Sequence, residues 1–325
     1  MAPSRRPRKR YRYRLRRLTP VGVVVAVAGL GGAWAGSRQA NTPIASAASP
    51  QVPHIVVHAP VVHAKPAVPM RLLVGGSLLP HRFQPELLGA AAVLVDAKTG
   101  RVLWTQRGHE RRQVASTTKI MTALLALRAL GPHDLVTVDR SVPRVPLVRE
   151  GLRAGERVEA SKLFYSLLLF SGNDDALALA IAVDGDKWTF IRSMNAEAKR
   201  LGLHDTHFST PSGVKDADNY SSAWDLAALT RVAMRNERFR QIVKTRVKHV
   251  SWSAPTFAKI YVNNNRLLGT YPGATGVKTG YTHKAGPCLV ASATRHGTSL
   301  IAVVLDSPDM YTDAKRLLDF GFASL

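Results

Sequence analysis

The amino-acid sequence predicts an α+β domain with an antiparallel sheet built from both ends of the domain and a helical part between them. Short apolar runs typical of strands occur at residues 90–106 and again at 276–305. The stretch between them contains longer apolar segments of helical length. Strands at the two ends of a domain can bury their apolar faces together in one sheet, which places the helices against it.

The individual elements follow from apolar runs and from the polar or glycine-containing breaks between them. Two strands are expected at 90–95 and 101–106, joined by a hairpin turn at 96–100. Gly131-Pro132 ends the first predicted helix, at 116–130. The remaining predicted elements are helices at 161–170, 174–183, 188–201 and 222–235, strands at 276–281, 288–294 and 299–305, and a last helix at 311–320.

The N-terminus predicts export. The formal net charge is +23, and nine of the Lys and Arg residues lie in the first 17 positions, before an uncharged apolar stretch at 21–35. This order indicates a secretory signal or membrane anchor rather than a nucleic-acid-binding arm, so no nucleic-acid partner is expected. Residues 1–36 are therefore predicted to be a basic signal peptide, or an anchor in the inner membrane if the segment is retained. Both leave the rest of the chain extracytoplasmic, secreted or on the periplasmic or cell-wall side.

The remaining chain divides into a linker and one catalytic domain. Residues 37–86 are rich in Pro, Ala, His and Val, a composition that favours a disordered tether over a packed domain. The predicted domain spans 87–325, and the sequence ends directly after it, so we expect any anchor to be N-terminal. The one cysteine, Cys288, lies in an apolar run and is predicted to be a core residue. The histidines form no metal-binding motif, so neither a metal nor a cofactor is expected.

Three short motifs in a fixed order indicate a serine acyl-transfer site: S-x-x-K at 116–119, S-x-N at 171–173 and K-T-G at 278–280. A spacing of three places Ser116 and Lys119 on one face at the start of a helix. A serine hydroxyl needs a base to become a nucleophile, and Lys119 can serve only if its amine is neutral. Burial or the charge of Lys278 would lower its pKa. Ser116 is thus the predicted nucleophile and Lys119 the predicted general base.

The second motif interrupts two strongly apolar helices, which predicts that its polar side chains reach a cleft wall. Ser171 is expected to relay a proton from Lys119 to the leaving amine. Asn173 is expected to orient Lys119 and hold a substrate amide. A helix–helix turn with Asn173 as N-cap explains the same residues, and both interpretations can hold together.

The third motif is predicted to bind substrate from a strand. Lys278 would offer charge to a carboxylate, Thr279 a hydroxyl, and Gly280 room for the substrate backbone. The N–H of Tyr281 would stabilise the oxyanion together with that of Ser116. A second K-T-G at 98–100 falls in the predicted hairpin turn, and we interpret it as structural.

With these motifs the chain resembles the serine-type D-alanyl-D-alanine carboxypeptidases, the low-molecular-mass penicillin-binding proteins of peptidase family S11, over about residues 88–323. Residues 115–123 are similar to the family's nucleophile segment, 171–174 to its second motif and 276–282 to its third. The resemblance implies a β-lactamase/transpeptidase-like fold. It also implies removal of the terminal D-alanine from the peptidoglycan pentapeptide through an acyl-enzyme on Ser116, with β-lactams as covalent inhibitors.

One departure and three alternatives accompany this resemblance. Many members carry an arginine shortly before the last helix, whereas Ser-Pro-Asp-Met stands here at 307–310, so carboxylate recognition would rest on Lys278, Thr279 or another cation. A class A β-lactamase would need a further carboxylate in an E-x-x-L-N context, which the sequence lacks. A D,D-endopeptidase that cuts cross-links would use the same residues. A catalytically silent wall-binding protein would not need the intact motif set.

Overall fold

The computed structural model describes residue 72 and residues 84–146, 148–214, 218–252 and 256–325. The predicted signal or anchor at 1–36, and nearly all of the predicted linker, lie outside these residues. Within them, no helix combines the length and the apolar character that crossing a membrane requires.

A five-stranded antiparallel sheet with the order β2-β1-β11-β10-β9 forms the centre of the fold. Its first strand pairs with its last in sequence, so that Val93 lies opposite Val303. This pairing confirms that the two ends of the domain share one sheet. The strands of the sheet are β1 (Ala91–Asp96), β2 (Val102–Gln106), β9 (Ala274–Thr282), β10 (Gly286–Arg295) and β11 (Thr298–Leu305).

Helices and short strands fill the chain between β2 and β9 and after β11. The helices are α1 (Lys119–Ala129), α2 (Ala160–Tyr165), α3 (Asn173–Asp184), α4 (Lys187–Leu201), α5 (Ala223–Ala233), α6 (Glu237–Lys244), α7 (Leu267–Thr270) and α8 (Met310–Ala323). The short strands pair in twos and are β3 (Arg112–Gln113) with β6 (Tyr220–Ser221), β4 (Leu135–Thr137) with β5 (Arg157–Glu159), and β7 (Val247–Val250) with β8 (Lys259–Val262).

The sheet is covered on both faces. Helix α8 packs on one face, where Leu317 joins Leu94 in the core and a Cβ on Gly321 would lie 2.8 Å from the Leu94 side chain. The helical part covers the other face. Its central helix α1 buries eight of its 11 residues, which is the pattern of a helix enclosed on all sides. The first residue of this helix is Lys119, so the buried centre of the domain begins at a predicted catalytic residue.

The predicted elements are confirmed, with shifts of a few residues at their ends, and the short ones were missed. The predicted helix at 161–170 is α2 followed by a wide π turn at Ser166–Phe170. Helix α6 was not predicted, because its only buried side chains are Phe239, Ile242 and Val243 in an otherwise charged sequence. Strands β3 to β8 have two to four residues each, too few to show an alternating pattern.

A buried carboxylate fastens the start of the domain to its last helix. Asp313, in the first turn of α8, is fully buried. Its Oδ2 accepts hydrogen bonds from the Gly89 N–H at 2.8 Å and the Ser307 hydroxyl at 2.6 Å. The Leu88 N–H donates to the same carboxylate at 3.1 Å. Because buried donors are costly to leave unpaired, this side chain fixes the segment that leads into β1.

We predict that Asp313→Ala lowers the free energy of unfolding by about 3 kcal/mol, because it leaves several buried donors without an acceptor. Equilibrium unfolding in urea measures this loss. The control is Asp309→Ala, which removes the exposed N-cap carboxylate of the same helix, bonded to the Thr312 N–H at 3.2 Å. Loss of that cap should cost about 1 kcal/mol. Equal losses in the two variants would contradict the role given to Asp313.

Candidate active site

Ser116 lies in a tight turn that precedes α1. The turn is a 3-10 helix, Ala115–Thr118, and not the first turn of the α-helix that the sequence predicted. Ala115 has a left-handed backbone with φ of 47°, and the Thr117 hydroxyl bonds back to the Val114 carbonyl at 2.7 Å. Ser116 is half-buried while its neighbours are buried, so its hydroxyl lies at an accessible edge of the core.

Lys119 is completely buried and its amine has three partners. The Nζ atom lies 2.9 Å from Ser116 Oγ. It donates to Asn173 Oδ1 at 2.8 Å and to the backbone carbonyl of Ser212 at 3.0 Å. Two of the residues that the sequence predicted to contact Lys119, Ser116 and Asn173, therefore bind the same nitrogen.

These partners determine where the lone pair of a neutral Lys119 points. The carbonyl of Ser212 and the amide oxygen of Asn173 can only accept, so they take the two N–H bonds of a neutral amine. The Asn173 amide is itself oriented, because its Nδ2 donates to the Pro146 carbonyl at 3.0 Å. The remaining tetrahedral position of Nζ faces Ser116 Oγ. A neutral Lys119 can therefore accept the serine proton directly.

Burial lowers the pKa of Lys119 well below its ordinary value, and the charge of Lys278 lowers it further. Lys278 is also buried, and burial lowers its pKa to about 7. Two buried cations repel each other, so a positive charge on one amine favours loss of the proton from the other. The pKa of Lys119 is lowered by both effects, whereas that of Lys278 is lowered by burial alone, so Lys119 is the amine expected to lose its proton first. Lys278, which donates to the Thr279 carbonyl at 3.1 Å, is charged below a pH of about 7.

The S-x-N motif forms the junction between the π turn and α3. Ser171 has a left-handed backbone with φ of 78°, and its N–H donates to the Ser166 carbonyl at 2.8 Å. Its hydroxyl is buried and has no hydrogen-bond partner among the described residues. The expected contact with Lys119 is not formed, because Ser116, Asn173 and Ser212 occupy that amine. The Ser171 hydroxyl is thus free to engage a bound group.

The middle residue of this motif, Gly172, is a glycine because the carboxyl group of Asp175 lies directly against its backbone. A Cβ on Gly172 would lie 1.8 Å from Asp175 Oδ2, so no larger residue fits without moving that side chain. Two completely buried acids, Asp174 and Asp175, follow at the start of α3. Asp174 accepts the Asp175 N–H at 3.2 Å and the backbone N–H groups of Glu150 and Gly151, each at 2.8 Å. Asp175 is different, because among the described residues it bonds to a side chain, the Ser166 hydroxyl.

Asp175 belongs to a buried chain of polar groups. Burial and the nearby Asp174 and Glu150 raise its pKa well above the ordinary value, which favours the protonated acid. A protonated Asp175 can donate to the Ser166 hydroxyl, to which its Oδ2 is bonded, and that hydroxyl can donate to Glu150 Oε2 at 3.2 Å. Glu150 Oε1 is paired with Lys259 at 2.7 Å. A neutral Asp175 favours a neutral Lys119, because a second negative charge there would raise the pKa of the lysine.

Strand β9 brings the K-T-G motif to the nucleophile turn. A Cβ on Gly280 would lie 2.9 Å from the Val114 carbonyl and 3.1 Å from the Ser116 nitrogen. The glycine is therefore required by the close approach of the nucleophile turn, in addition to any need of a substrate. Strand β9 is the outer strand of the sheet, so alternate N–H groups on its free edge have no neighbouring strand to bind. Thr279 is half-buried beside this edge and the side chain of Tyr281 is exposed.

The sequence did not reveal the segment that supplies the third partner of Lys119. The Ser212 carbonyl acts through its backbone, so its side chain carries no signal. Gly213, which follows it, gives a weak one: its φ is 76°, and a Cβ would lie 2.0 Å from the Ala115 carbonyl. Thr122 donates to the Pro211 carbonyl at 2.6 Å and holds the segment on α1.

The features that the sequence analysis set apart have structural explanations. The K-T-G at 98–100 forms the hairpin turn between β1 and β2, where Gly100 has a φ of 82° and the Thr99 N–H donates to Asp96 at 2.7 Å. Cys288 is buried in β10, and burial raises the pKa of its thiol to about 11. Arg316, the first arginine after position 307, donates to the Glu86 carbonyl at 2.7 Å.

Comparison with known proteins agrees with this geometry. The sequence profile of the peptidase S11 family, D-alanyl-D-alanine carboxypeptidase, matches residues 81–309. D-alanyl-D-alanine carboxypeptidase DacF of Bacillus subtilis is 34% identical over 242 residues, which are 72% of this chain and 62% of the relative. The chain thus spans less than two thirds of that relative's length.

A Streptomyces relative is covered more fully. The D-alanyl-D-alanine carboxypeptidase of Streptomyces sp. strain K15 is 35% identical over 268 residues, 74% of this chain and 89% of the relative. The crystal structure of the Streptomyces K15 DD-transpeptidase superposes with a TM-score of 0.69 at 35% identity, over 74% of this chain and 99% of that one. The fold implied by the resemblance is confirmed.

We predict that Lys278→Gln raises the pKa of Lys119, because it removes the repelling charge while burial still keeps that pKa below the ordinary value. An NMR titration of lysine labelled at Cε measures the change. The matched control is Lys284→Gln, an exposed lysine two residues beyond β9, which should leave the titration unchanged. An unchanged or lower pKa of Lys119 in Lys278→Gln would contradict the assignment of charge to Lys278.

Proposed function

The chain belongs to the D-alanyl-D-alanine carboxypeptidase family, and we propose that it removes the terminal D-alanine from peptidoglycan stem pentapeptides through an acyl-enzyme on Ser116. The observation that carries this proposal is the buried amine of Lys119, 2.9 Å from Ser116 Oγ and with its N–H bonds committed to two other acceptors. Members of this family act on peptidoglycan and bind penicillins. That places their reaction outside the cytoplasm.

In the acylation step, Ser116 Oγ attacks the carbonyl carbon of the penultimate D-alanine while its proton passes to Lys119 Nζ. The carbonyl oxygen becomes an oxyanion, for which the N–H groups of Ser116 and Tyr281 are the proposed donors. Collapse of the tetrahedral intermediate breaks the C–N bond and needs a proton on the leaving amine. The unpartnered hydroxyl of Ser171 is the proposed relay for that proton. D-Alanine leaves and the acyl ester remains on Ser116.

In the second step a water molecule takes the place of the leaving amine. Lys119, neutral again, accepts a proton from the water, which attacks the ester and releases the shortened peptide and the Ser116 hydroxyl. The described structure offers the same base for both steps, consistent with the absence of an E-x-x-L-N carboxylate from the sequence. A β-lactam would form the same ester through its ring carbonyl. An acceptor amine in place of water would give transpeptidation, the activity by which the Streptomyces K15 DD-transpeptidase is named.

Substrate recognition is proposed to rest on β9. A charged Lys278 would attract the terminal carboxylate, and carboxylate binding would in turn raise the pKa of Lys278 from about 7 and keep it protonated. Thr279 would add a hydroxyl donor. Asn173, fixed by Pro146 and Lys119, would hold the substrate amide. This arrangement gives carboxylate recognition without an arginine before α8.

We propose further that residues 1–36 export the chain or anchor it, and that residues 37–86 tether the domain 87–325. The basic and apolar pattern of the sequence supports this organisation. A retained anchor would hold the catalytic domain near the inner membrane, where the linker would let it reach a polymeric substrate.

We predict that a fluorescent penicillin labels the unmodified protein and fails to label Ser116→Ala, because the ester forms on that hydroxyl. Lys119→Ala should slow labelling by about 10²–10⁴-fold, the usual contribution of a positioned base. The exposed Lys199→Ala is the control and should label at the original rate. Absence of label on the unmodified protein would contradict the acyl-enzyme.

The same protein should release D-alanine from a pentapeptide faster than it cleaves a cross-linked dimer. Quantifying both products by mass spectrometry, with and without an acceptor amine, separates the three reactions. Faster cleavage of the dimer would indicate an endopeptidase. D-Alanine leaves in both hydrolysis and transpeptidation, so an aminolysis product in place of the shortened peptide, when the acceptor amine is present, would indicate a transpeptidase. Labelling without any of these reactions would indicate a wall-binding protein that retains the nucleophile.

We predict that Gly280→Ala slows penicillin labelling by about 100-fold, because the added Cβ displaces the backbone of the nucleophile turn. Gly269→Ala is the matched control, since the nearest atom to its new Cβ is 3.4 Å away in the Arg246 side chain. Labelling rates and urea unfolding are measured for both variants. Normal labelling in a folded Gly280→Ala protein would contradict the close packing of β9 on the turn.

A further inference from the structure

A second cleft lies where α5 and α6 meet the sheet, outside the part of β9 that carries Lys278, Thr279 and Gly280. It has a volume of about 690 Å³ and is formed by the hairpin turn after β1, the junction between α5 and α6, and the near ends of β9, β10 and β11. None of the predicted catalytic or substrate-binding residues lines it. Along β9, Gly276, against which Val243 of α6 packs, separates Thr275 of the cleft from Lys278. The cleft is therefore separate from the candidate active site.

The cleft is strongly basic. Five of its lining residues are cations and only one, Glu237, is an anion; the cations are Lys98, Arg231, Arg235, Arg240 and Lys244. None of the five forms an ion pair with a carboxylate among the described residues. The sheet contributes hydroxyl groups, with Thr275 bonded to Ser292 and Thr294 bonded to Ser299, each at 2.8 Å. Such a surface favours a ligand with several negative charges.

Arg231 is prearranged in the wall of this cleft. The residue is only 6% exposed, and its guanidinium is held by the hairpin turn: Nε donates to the Ala97 carbonyl at 3.1 Å and Nη2 to the Lys98 carbonyl at 3.3 Å. The third nitrogen, Nη1, lies against Gly100 and makes no hydrogen bond with a described residue. The upstream K-T-G therefore has a role beyond the turn, because its backbone fixes a cation and its lysine side chain adds another. Asp96, whose carboxylate accepts the Thr99 N–H, offsets only part of this charge.

The shape and composition of the cleft restrict the ligand. Three guanidinium groups and several hydroxyls match the oxygens of a phosphate better than a single ammonium would. A concave cleft of this volume fits a chain better than a flat membrane surface. No aromatic side chain lines it, which disfavours a nucleic acid whose bases would need stacking partners.

We propose that this cleft, lined by Lys98, Arg231, Arg235, Arg240 and Lys244, binds a phosphodiester-linked polyol of the cell envelope. The ligand binds at a site separate from Ser116 and would hold the domain on the wall while the catalytic site acts. Two or more successive phosphates would lie along the cations, with Arg231 as the fixed one. The proposal does not depend on the peptidase activity.

The test measures the binding of a synthetic glycerol-phosphate oligomer to the full chain by fluorescence anisotropy at fixed salt. The variant Lys98→Gln/Arg235→Gln/Lys244→Gln removes three exposed cations whose side chains bond to no described residue. We expect its dissociation constant to rise at least about tenfold, because each phosphate contact contributes to the electrostatic affinity. The matched control is Arg144→Gln/Arg153→Gln/Lys199→Gln, which removes the same charge from exposed positions elsewhere and should change binding less than about twofold.

Two further arms identify the source of the phosphates. An oligothymidylate with the same number of phosphates and vesicles containing phosphatidylglycerol should each bind more weakly than the glycerol-phosphate oligomer. Penicillin labelling of both triple variants should match that of the unmodified protein, which shows that they are folded and that the catalytic site is separate. The proposal is overturned if the two triple variants weaken binding equally, if the oligonucleotide or the vesicles bind more tightly, or if the glycerol-phosphate oligomer does not bind.

Discussion

The candidate site depends on one interaction, the burial of the Lys119 amine between two acceptors and a serine hydroxyl. An ammonium ion in this position would be completely buried, and burial favours loss of its proton. Asn173 and the Ser212 carbonyl then direct the lone pair, because neither can donate to it. The charge of Lys278 lowers the pKa further, whereas negative charge on Asp174 or Asp175 opposes this effect. The surroundings of the lysine thus set both its charge and its orientation before any substrate binds.

The sheet supports this arrangement from the other side. Pairing of β1 with β11 closes the domain, and β10 then carries β9 to the nucleophile turn. The separation between β9 and the turn is so small that only glycine fits at position 280. Gly172 and Gly213 are restricted in a similar way, by a carboxyl group and by the Ala115 carbonyl. Glycine is therefore required at these positions by close packing within the protein, and not only by access for a ligand.

The sequence predicted the parts of this molecule that depend on side-chain chemistry in regular elements. The long apolar runs gave the sheet and the main helices, and the three motifs gave Ser116, Lys119, Asn173 and Lys278, which the structure places around one another. It could not predict the Ser212 carbonyl, because a backbone acceptor has no residue signature. Nor could it show that Asp175 is buried, since adjacent acids at the start of a helix usually bind its N–H groups. Only the fold shows that this carboxyl lies inside, beneath Gly172.

The three partners of Lys119 come from three separate parts of the chain: the nucleophile turn, the start of α3 and the loop before β6. All three segments must stay packed for the amine to remain out of contact with water. If any one of them loosens, water reaches the nitrogen, the lysine regains its ordinary affinity for a proton, and the serine loses its base. On heating, the catalytic activity should therefore be lost at a lower temperature than the secondary structure. The protonation state of Lys119 therefore depends on the packing of the whole helical part.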